Sequence, residues 1–325
     1  MLMLNKLMRA VLAAVLLLNV TTAFSADWPD KPVRWIVPYP PGGGTDGLAR
    51  VLGDAVSQSL GQPFVIDNRP GAATIIGAEV TAKSIPDGYT LMSADNATLV
   101  NNAAIYPKLP YDAVKDLAPV SLIGRFPLVL VVSPSAGIRD FAQWRAKISA
   151  SPGKFNYATS GAGTPFHVGM EFIKQRLQLS ITHIPYKGMG PAIQDVLAGQ
   201  VQMMLVDVAT ALPYIRTDKL IALATAGGRR QTQLPEVPTL LELGLSDSEF
   251  YAWQGVVVPS QTPVAVMERM SAALRQAIAS EKVAQKIMQL GIEPLGSTPE
   301  EMAAYWKSET NRWHKLIRER GIRIE

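Results

Sequence analysis

A strand, a glycine-rich turn and a helix follow one another in the stretch Trp35-Ile36-Val37-Pro38-Tyr39-Pro40-Pro41-Gly42-Gly43-Gly44-Thr45-Asp46-Gly47-Leu48-Ala49-Arg50. Apolar residues alternate with others over residues 33–37, a pattern that predicts a β-strand. From Leu48 to Leu60 the apolar residues recur with the period of a helix, and Gly61 is a natural stop. Three consecutive glycines after two prolines are more than a change of direction requires.

A helix that begins at glycines leaves several backbone N–H groups unpaired at its N-terminus. The positive end of the helix dipole lies behind these groups, so the position suits an anion. The alternative interpretation is a tight strand-to-helix turn that binds nothing.

Composition limits the classes of protein that this chain can represent. A length of 325 residues allows two domains, and contents of 48% hydrophobic and 18% charged residues are those of a globular protein. Cysteine is absent, which excludes disulfides and thiolate chemistry. The formal net charge is +4, but no basic stripe with interleaved aromatic residues occurs, so we expect no nucleic-acid partner. The histidines lack metal-ligand spacing, and we expect neither a metal nor a cofactor.

The N-terminus has the three parts of a secretory signal peptide. Lys6 and Arg9 are followed by a short apolar run over Ala10 to Leu18 and by the small-residue site Ala23-Phe24-Ser25. We therefore predict a cleaved signal peptide over residues 1–25 and a location in the periplasm. A retained N-terminal anchor is the alternative.

The rest of the chain alternates short apolar strands with helical stretches, which predicts an α/β protein with mostly parallel strands. We place one crossing between domains at Gly124–Pro127 and expect the strand Ile221–Thr225 to return the chain to the first domain. Domain 1 is thus predicted over 26–124 and 226–325, and domain 2 over 125–225. Trp306 and Trp313 lie at helical spacing in the last helix and are expected in the core.

A second glycine-rich helix start occurs in the predicted second domain, at Thr159-Ser160-Gly161-Ala162-Gly163-Thr164-Pro165. Thr164 suits the N-cap and Pro165 the first helical turn, and a capped turn without a ligand is the alternative. A third polar loop, Ser93 to Thr98, follows a strand, where plain helix capping by Asp95 or Asn96 is the alternative. Two electropositive helix ends that face each other could hold a small anion from both sides.

Two enzyme interpretations compete with a binding protein. Gly42-x-Gly44-x-x-Gly47, with Asp67 about twenty residues on, has the layout of a dinucleotide fingerprint and would make the chain an NAD-dependent oxidoreductase. Pro40, Pro41 and the predicted export argue against it. Ser160 does not lie in a Gly-x-Ser-x-Gly nucleophile elbow, and His167 six or seven residues on is more often a capping or packing residue than a base. We therefore expect no catalytic residues.

In its motifs, the sequence resembles the extracytoplasmic solute receptors of the tripartite tricarboxylate transporter family, often called Bug proteins. The resemblance spans the mature chain and rests on motifs in a specific order: Trp28-Pro29-x-x-Pro32, Val37-Pro38-Tyr39-x-Pro41-Gly42-Gly43-x-x-Asp46, Asp67-Asn68-Arg69-Pro70-Gly71-Ala72, Pro86-Asp87-Gly88-Tyr89-Thr90-Leu91, Gly161-x-Gly163-Thr164-x-x-His167, Pro185-Tyr186-Lys187-Gly188 and Gly199-Gln200-Val201 before Asp207. It implies a type II periplasmic-binding fold, two α/β domains joined by two crossing strands. It also implies capture of a small carboxylate for a membrane transporter, without catalysis.

Carried over by position, the resemblance implies a ligand site between the two loops. Asp46 is expected to hold its loop or a water, and Thr98 and Asp207 to line the cleft or to be structural. The third loop departs from the family in its acidic residue Asp95, which argues against a plain tricarboxylate and leaves room for an amino acid, a monocarboxylate or an aromatic acid. We expect a monomer, and a ligand sensor without a transporter is a further alternative. The predicted ligand-binding residues are Tyr39, Gly43, Gly44, Thr45, Asp46, Thr98, Ser160, Gly161, Ala162, Gly163, Thr164 and Asp207.

Overall fold

Two β-sheets organise the chain, and helices pack against both. The structure is a computed structural model that describes residues 28–323, and the predicted signal peptide at 1–25 lies outside the described residues. The strands are, in chain order, β1 (Val33–Val37), β2 (Phe64–Asn68), β3 (Thr90–Asp95), β4 (Leu117–Phe126), β5 (Leu128–Val132), β6 (Asn156–Thr159), β7 (Thr182–Pro185), β8 (Met203–Asp207), β9 (Ile221–Thr225), β10 (Ala252–Pro259) and β11 (Glu293–Pro294).

Helices connect most of these strands. They are α1 (Gly44–Leu60), α2 (Ile75–Ala82), α3 (Asn102–Ile105), α4 (Ala113–Asp116), α5 (Phe141–Ala150), α6 (Pro165–Leu177), α7 (Met189–Leu197), α8 (Val208–Ile215), α9 (Val264–Ala279), α10 (Glu281–Gln289) and α11 (Pro299–Glu319). A π-helical segment over Ala97–Asn101 leads into α3. The predicted stop of the first helix is confirmed, because Gly61 has φ 74° at its C-terminus.

The first sheet has the strand order β11-β4-β10-β3-β1-β2, and the second has the order β7-β6-β8-β5-β9. In the first sheet β1 runs parallel to β2 and β3, while β10 runs antiparallel to β3 and β4. In the second sheet β6 runs parallel to β7 and β8, and β5 runs antiparallel to β8 and β9. The predicted α/β class is confirmed.

The chain crosses between the sheets twice. Only Pro127 separates β4 from β5, so the first crossing is a nearly continuous pair of strands. The sequence predicted that the first of these strands ends near residue 123, but it continues to Phe126, because Gly124 and Arg125 still pair with β10 and β11. The second crossing differs from the prediction.

The strand β9 does not return to the first sheet, since it pairs with β5 at the edge of the second sheet. Residues 226–251 make the return instead and lead into β10. Backbone hydrogen bonds hold both ends of this segment. Ala226 N donates to Leu128 O and Phe250 N donates to Ala226 O, each at 2.9 Å. An apolar strand pattern identifies a strand but not the sheet that it joins.

Tryptophans lie in the cores on both sides of the crossings. Trp35, Trp144 and Trp253 have no exposed surface. The predicted burial of Trp306 and Trp313 is confirmed, and the Trp306 indole N–H donates to Leu99 O at 2.7 Å. None of the helices within residues 28–323 is both long enough and apolar enough to cross a membrane.

The burial pattern predicts that the same substitution, Val to Ala, lowers the free energy of unfolding by very different amounts at two positions. Val131 in β5 has no exposed surface, whereas Val65 in the edge strand β2 is 52% exposed. We expect Val131→Ala to lower the free energy of unfolding by about 2–3 kcal/mol, because methyl groups are lost from a packed core. We expect Val65→Ala to cost less than about 0.5 kcal/mol. Urea denaturation of both variants measures the difference, and equal losses would contradict this description of the core.

Candidate functional site

The first glycine-rich loop leaves a group of backbone donors without acceptors. The helix α1 begins at Gly44, and its N-cap Gly43 has no side chain with which to cap it. Within the described part of the chain, the N–H groups of Gly43, Gly44 and Thr45 have no hydrogen-bond acceptor. Gly43 and Gly44 are exposed and Thr45 is half-buried. The loop therefore presents several adjacent N–H donors at the positive end of a helix dipole.

Asp46 holds this loop together from the inside. Its buried carboxylate accepts hydrogen bonds from Gly42 N at 2.9 Å, from the Arg50 guanidinium at 2.9 and 3.0 Å and from Asn68 Nδ2 at 2.9 Å. Burial by itself would raise the pKa of Asp46, but these hydrogen bonds outweigh burial and lower the pKa. All of these contacts join Asp46 to the protein itself, so it supports the loop.

The third polar loop is joined to the first by a tyrosine. The Tyr39 hydroxyl donates to Asp95 Oδ2 at 2.5 Å. Asp95 Oδ1 accepts from Thr98 N at 2.9 Å and from the Thr98 hydroxyl at 2.8 Å. Thr98 is 1% exposed, and its hydroxyl also lies 2.9 Å from that of Thr74. Asp95 thus caps the segment that begins at Ala97, which is the alternative that the sequence left open, and Thr98 is buried behind it.

The second loop presents donors in a different way. The Thr164 hydroxyl caps α6 by accepting from His167 N at 3.4 Å, as predicted for this residue. Among residues 28–323, the N–H groups of Ala162, Thr164 and Phe166 have no acceptor, and the Ser160 hydroxyl has no partner. These groups form a second set of free donors at a helix start.

Both backbone groups of Gly163 are used within the protein, as are those of Gly161, whose N–H donates to the Thr159 hydroxyl and whose carbonyl accepts from the Thr164 hydroxyl. The Gly163 N–H donates to His167 Nδ1 at 3.1 Å, and its carbonyl accepts from Asn101 Nδ2 at 2.8 Å. The sequence predicts Gly163 as a ligand contact. In the structure its N–H and carbonyl form hydrogen bonds within the protein, and the carbonyl links the loop to the segment before α3. At φ 78° its backbone is in the region that favours glycine, and an added Cβ would lie 2.9 Å from Ile105.

Two stacked histidines stabilise the second loop. The rings of His167 and His183 are 3.8 Å apart, and His183 Nε2 lies 2.7 Å from the Thr159 hydroxyl. Burial lowers the pKa of His167 to about 4, an effect that Glu171 partly offsets. The ring is therefore neutral near pH 7, which leaves Nδ1 free to accept from Gly163. No hydrogen bond pairs His167 with Ser160, so the structure does not form a nucleophile and base from them.

Asp207 lies at the end of β8 and caps α8. Its two carboxylate oxygens accept from Thr210 N and from the Thr210 hydroxyl, each at 2.8 Å. Burial raises the pKa of Asp207, and no cationic side chain within residues 28–323 pairs with it. Asp207 is half-buried, and its carboxylate is an acceptor at the carboxyl end of β8.

Contacts place the two glycine-rich loops beside the same crossing. Phe126, before the crossing, lies 2.9 Å from where a Cβ of Gly44 would be. Leu128, after the crossing, pairs with Asp207 at the end of β8. On the other side, the hydrogen bond from Asn101 to Gly163 joins the two halves of the chain directly. The first loop therefore lies against the crossing at Phe126, and the second loop is tied through Gly163 to the segment that contains Asn101.

Sequence reasoning missed Gln254 and Asn101 near these loops. Gln254 lies in β10 directly opposite Asp95 and is 3% exposed. Its Nε2 donates to the Thr45 hydroxyl, and its Oε1 has no partner among the described residues. One polar residue within an otherwise apolar strand was the available signal for Gln254. The residue spacing contains no comparable signal for Asn101.

A cavity of about 1160 Å³ lies elsewhere, between α6 and α11. Its guanidinium groups are already in use, because Arg125 pairs with Glu293 at 2.7 Å and stacks over Tyr251 at 4.0 Å. Arg312 donates to Glu249 O at 2.7 Å. The size of this cavity does not by itself make it a ligand site.

The dinucleotide interpretation is not favoured by the contacts of Asp67. Its carboxylate accepts from Arg34 Nε at 2.7 Å and from Arg69 Nε at 3.0 Å. Gly47 lies in contact range of Leu290, since an added Cβ would be 3.2 Å from that side chain. The third glycine thus serves helix packing, and the acidic residue that would bind a ribose has two arginine partners.

Comparison with known proteins identifies the family and the fold. The family model described as "Tripartite tricarboxylate transporter family receptor" matches residues 48–322. The chain is similar to R. palustris Rpa4515 solved with adipate, with a TM-score of 0.85 and 30% identity over 92% of this chain and 100% of that chain. It is also similar to the periplasmic binding protein BugD, with a TM-score of 0.82 and 27% identity over 91% and 100% of the two chains.

A further similar structure is MatC from Rhodopseudomonas palustris with bound malate, with a TM-score of 0.80 and 29% identity over 89% of this chain and 100% of that chain. The predicted periplasmic-binding fold is confirmed by these similarities and by the two sheets. The predicted resemblance to Bug receptors is confirmed as well.

The low pKa of His167 predicts how stability depends on pH. The histidine is neutral in the folded protein, with a pKa of about 4, and titrates near 6.5 when unfolded. The contribution of His167 to the free energy of unfolding is fully present above pH 6.5. It decreases by about 3 kcal/mol in all as the pH falls from 6.5 toward 4. We expect His167→Gln, which keeps an acceptor but does not titrate there, to lack this loss. Urea denaturation at pH 7, 5.5 and 4 compares the two proteins, and parallel losses would contradict the prediction.

Proposed function

Because this chain belongs to the tripartite tricarboxylate transporter family of receptors, we propose that its two glycine-rich loops capture a small carboxylate for membrane subunits of such a transporter. The relatives solved with adipate and malate support a small organic acid as the ligand. Receptors of this family bind rather than transform their solutes, so we propose that the chain has no catalytic activity. The oxidoreductase alternative is set aside.

The observation that carries this proposal is the set of free N–H donors on both sides of one crossing. Gly43, Gly44 and Thr45 supply them from α1, and Ala162 and Thr164 supply them from α6. Each hydrogen bond to a carboxylate contributes about 1.5–3 kcal/mol net. Neither loop contains Lys or Arg, so recognition rests on amides, hydroxyls and helix dipoles.

The predicted site residues divide by role under this proposal. Asp46, Thr98 and Gly163 hold the loops, because their polar groups are already bonded within the protein. Tyr39 and Asp207 add acceptors at the edges of the two sheets. Gly161 holds its loop in the same way, because its N–H and its carbonyl are bonded to Thr159 and Thr164. Contacts with the carboxylate are assigned to the remaining residues, which are Gly43, Gly44, Thr45, Ser160, Ala162 and Thr164.

The wider arrangement follows from the fold and the N-terminal sequence. We propose domain 1 over 26–126 and 226–325 and domain 2 over 127–225, with the first boundary moved from residue 124 because β4 continues in the first sheet to Phe126. The two crossings would act as a hinge that lets the domains close on the ligand. We propose that residues 1–25 are removed after export and that the mature protein acts in the periplasm as a monomer.

A screen of organic acids tests the proposed function. Purified protein lacking residues 1–25 is heated with and without individual acids at about 10 mM, and we expect at least one acid to raise the melting temperature. Selective binding to the folded state stabilises it by about 2.7 kcal/mol when the ligand is at a hundred times its Kd. Calorimetry with the best acid gives the Kd. A panel of carboxylates that leaves the melting temperature unchanged would contradict the proposal.

A substitution at Gly43 tests whether the first loop contacts this acid. Gly43 has φ −83°, and no atom lies within 4 Å of an added Cβ, so the fold accommodates Gly43→Val. We expect the variant to raise the Kd at least about tenfold, because the branched side chain covers the neighbouring N–H groups. Gly296→Ala, at an exposed glycine with no atom closer than 3.6 Å to an added Cβ, is the control and should bind normally. Normal binding by Gly43→Val would place the ligand elsewhere.

A further inference from the structure

The hydrogen of the Tyr39 hydroxyl is committed to Asp95. Tyr39 lies at the start of the first loop and donates to Asp95 Oδ2 at 2.5 Å. Burial, followed by the charge of Asp95, raises the pKa of Tyr39 well above its usual value, so the phenol stays protonated. A phenol has one hydrogen, and its oxygen can therefore only accept any further hydrogen bond.

The surroundings of Asp95 set the direction of this hydrogen bond. Asp95 is 6% exposed, and its Oδ1 accepts from both the backbone N–H and the hydroxyl of Thr98. An ionised carboxylate has no hydrogen to donate, so Tyr39 must be the donor. The pair consequently offers a neighbouring donor a phenolic oxygen that accepts, beside the carboxylate of Asp95.

Gln254 adds an unpaired acceptor beside this pair. It faces Asp95 across the β3–β10 pairing and contacts the Thr45 hydroxyl through Nε2. Its Oε1 is buried, with no hydrogen-bond partner among residues 28–323. A buried acceptor that stays unpaired is costly, whereas a donor on a ligand held by the first loop would satisfy it.

Among residues 28–323, the cation that follows the first loop is already paired and does not neutralise a second ligand carboxylate. Arg50, which follows the first loop on α1, is bonded to Asp46 and Asn68. On the second sheet, Asp207 contributes another acceptor without a cationic partner among the described residues. The free N–H groups of the loops suit one carboxylate, and the Asp95 side of the cleft repels another.

We propose that the Tyr39–Asp95 pair selects a carboxylate that also carries a hydroxyl or ammonium donor, in preference to the unsubstituted acid of the same length. This inference rests on the proposed function and names the ligand class of that site. A hydroxyl would donate its one hydrogen either to the Tyr39 oxygen or to Gln254 Oε1. An ammonium group would donate to both and would in addition be attracted by Asp95.

Matched sets of acids test the inference by calorimetry. Succinate is compared with malate and aspartate, and glutarate with 2-hydroxyglutarate and glutamate, all in both enantiomers where these exist. We expect at least one hydroxy or amino acid to bind at least about tenfold more tightly than its unsubstituted partner. The hydroxy and amino members of each set distinguish the two kinds of donor.

Asp95→Asn reverses the polarity of the pair and is the decisive variant. Its amide oxygen can still accept from Thr98, while its NH₂ group donates to Tyr39 and frees the phenolic hydrogen for the ligand. We expect the discrimination to fall below about threefold. Asp54→Asn makes the same change at an exposed position two turns along α1 and should leave the discrimination intact. Tyr39→Phe, which changes no charge, should weaken the substituted acid at least about fivefold and the unsubstituted acid much less.

The outcomes separate the two levels of the proposal. If unsubstituted acids bind as tightly as their substituted partners, or if both Asp95→Asn and Tyr39→Phe keep the full discrimination, the inference is wrong while carboxylate capture stands. If no member of the panel binds at about 10 mM, the proposed function itself fails.

Discussion

Unpaired backbone N–H groups at the starts of α1 and α6 are the constraint on which the rest of this structure depends. Every helix has such groups, and a side chain of Ser, Thr, Asp or Asn at the N-cap can satisfy one of them. Here the N-cap of α1 is Gly43, which has no side chain to offer. The donors remain open in an exposed loop, so the protein must hold the loop in place by other means and must supply the acceptor from outside.

The two loops solve this problem with different side chains. In the first, the buried carboxylate of Asp46 ties Gly42 to Arg50 and Asn68 from beneath the glycines. In the second, Thr164 caps the helix and the neutral ring of His167 takes up the N–H of Gly163. Both arrangements keep the supporting polar groups occupied and leave a separate set of amides free. Binding donors and structural donors are therefore distinct, although they lie side by side in sequence.

Acidic side chains near these amides would affect which carboxylates the proposed site binds. A receptor for an anion commonly uses Arg or Lys, but each loop here relies on dipoles and leaves the acidic groups Asp95 and Asp207 at the sheet edges. Dipoles are short in range and do not neutralise a second charge, so the acidic groups retain their influence on the ligand. Under the proposed function, the amides would hold one carboxylate and the side chains near Tyr39 would set which acid is preferred.

The sequence by itself determined the strands and helices of the two sheets, both glycine-rich helix starts, the Thr164 cap and the family. These follow from periodicity and from glycine and proline positions, which act over a few residues. The tertiary structure alone decided that β9 stays in the second sheet, that the Gly163 N–H donates to His167 and that Thr98 is buried. It also joined Tyr39 to Asp95 and brought Asn101 to Gly163. Those partners are tens of residues apart in the chain, and a hydrogen bond depends on distance and direction in space, which spacing along the sequence does not encode.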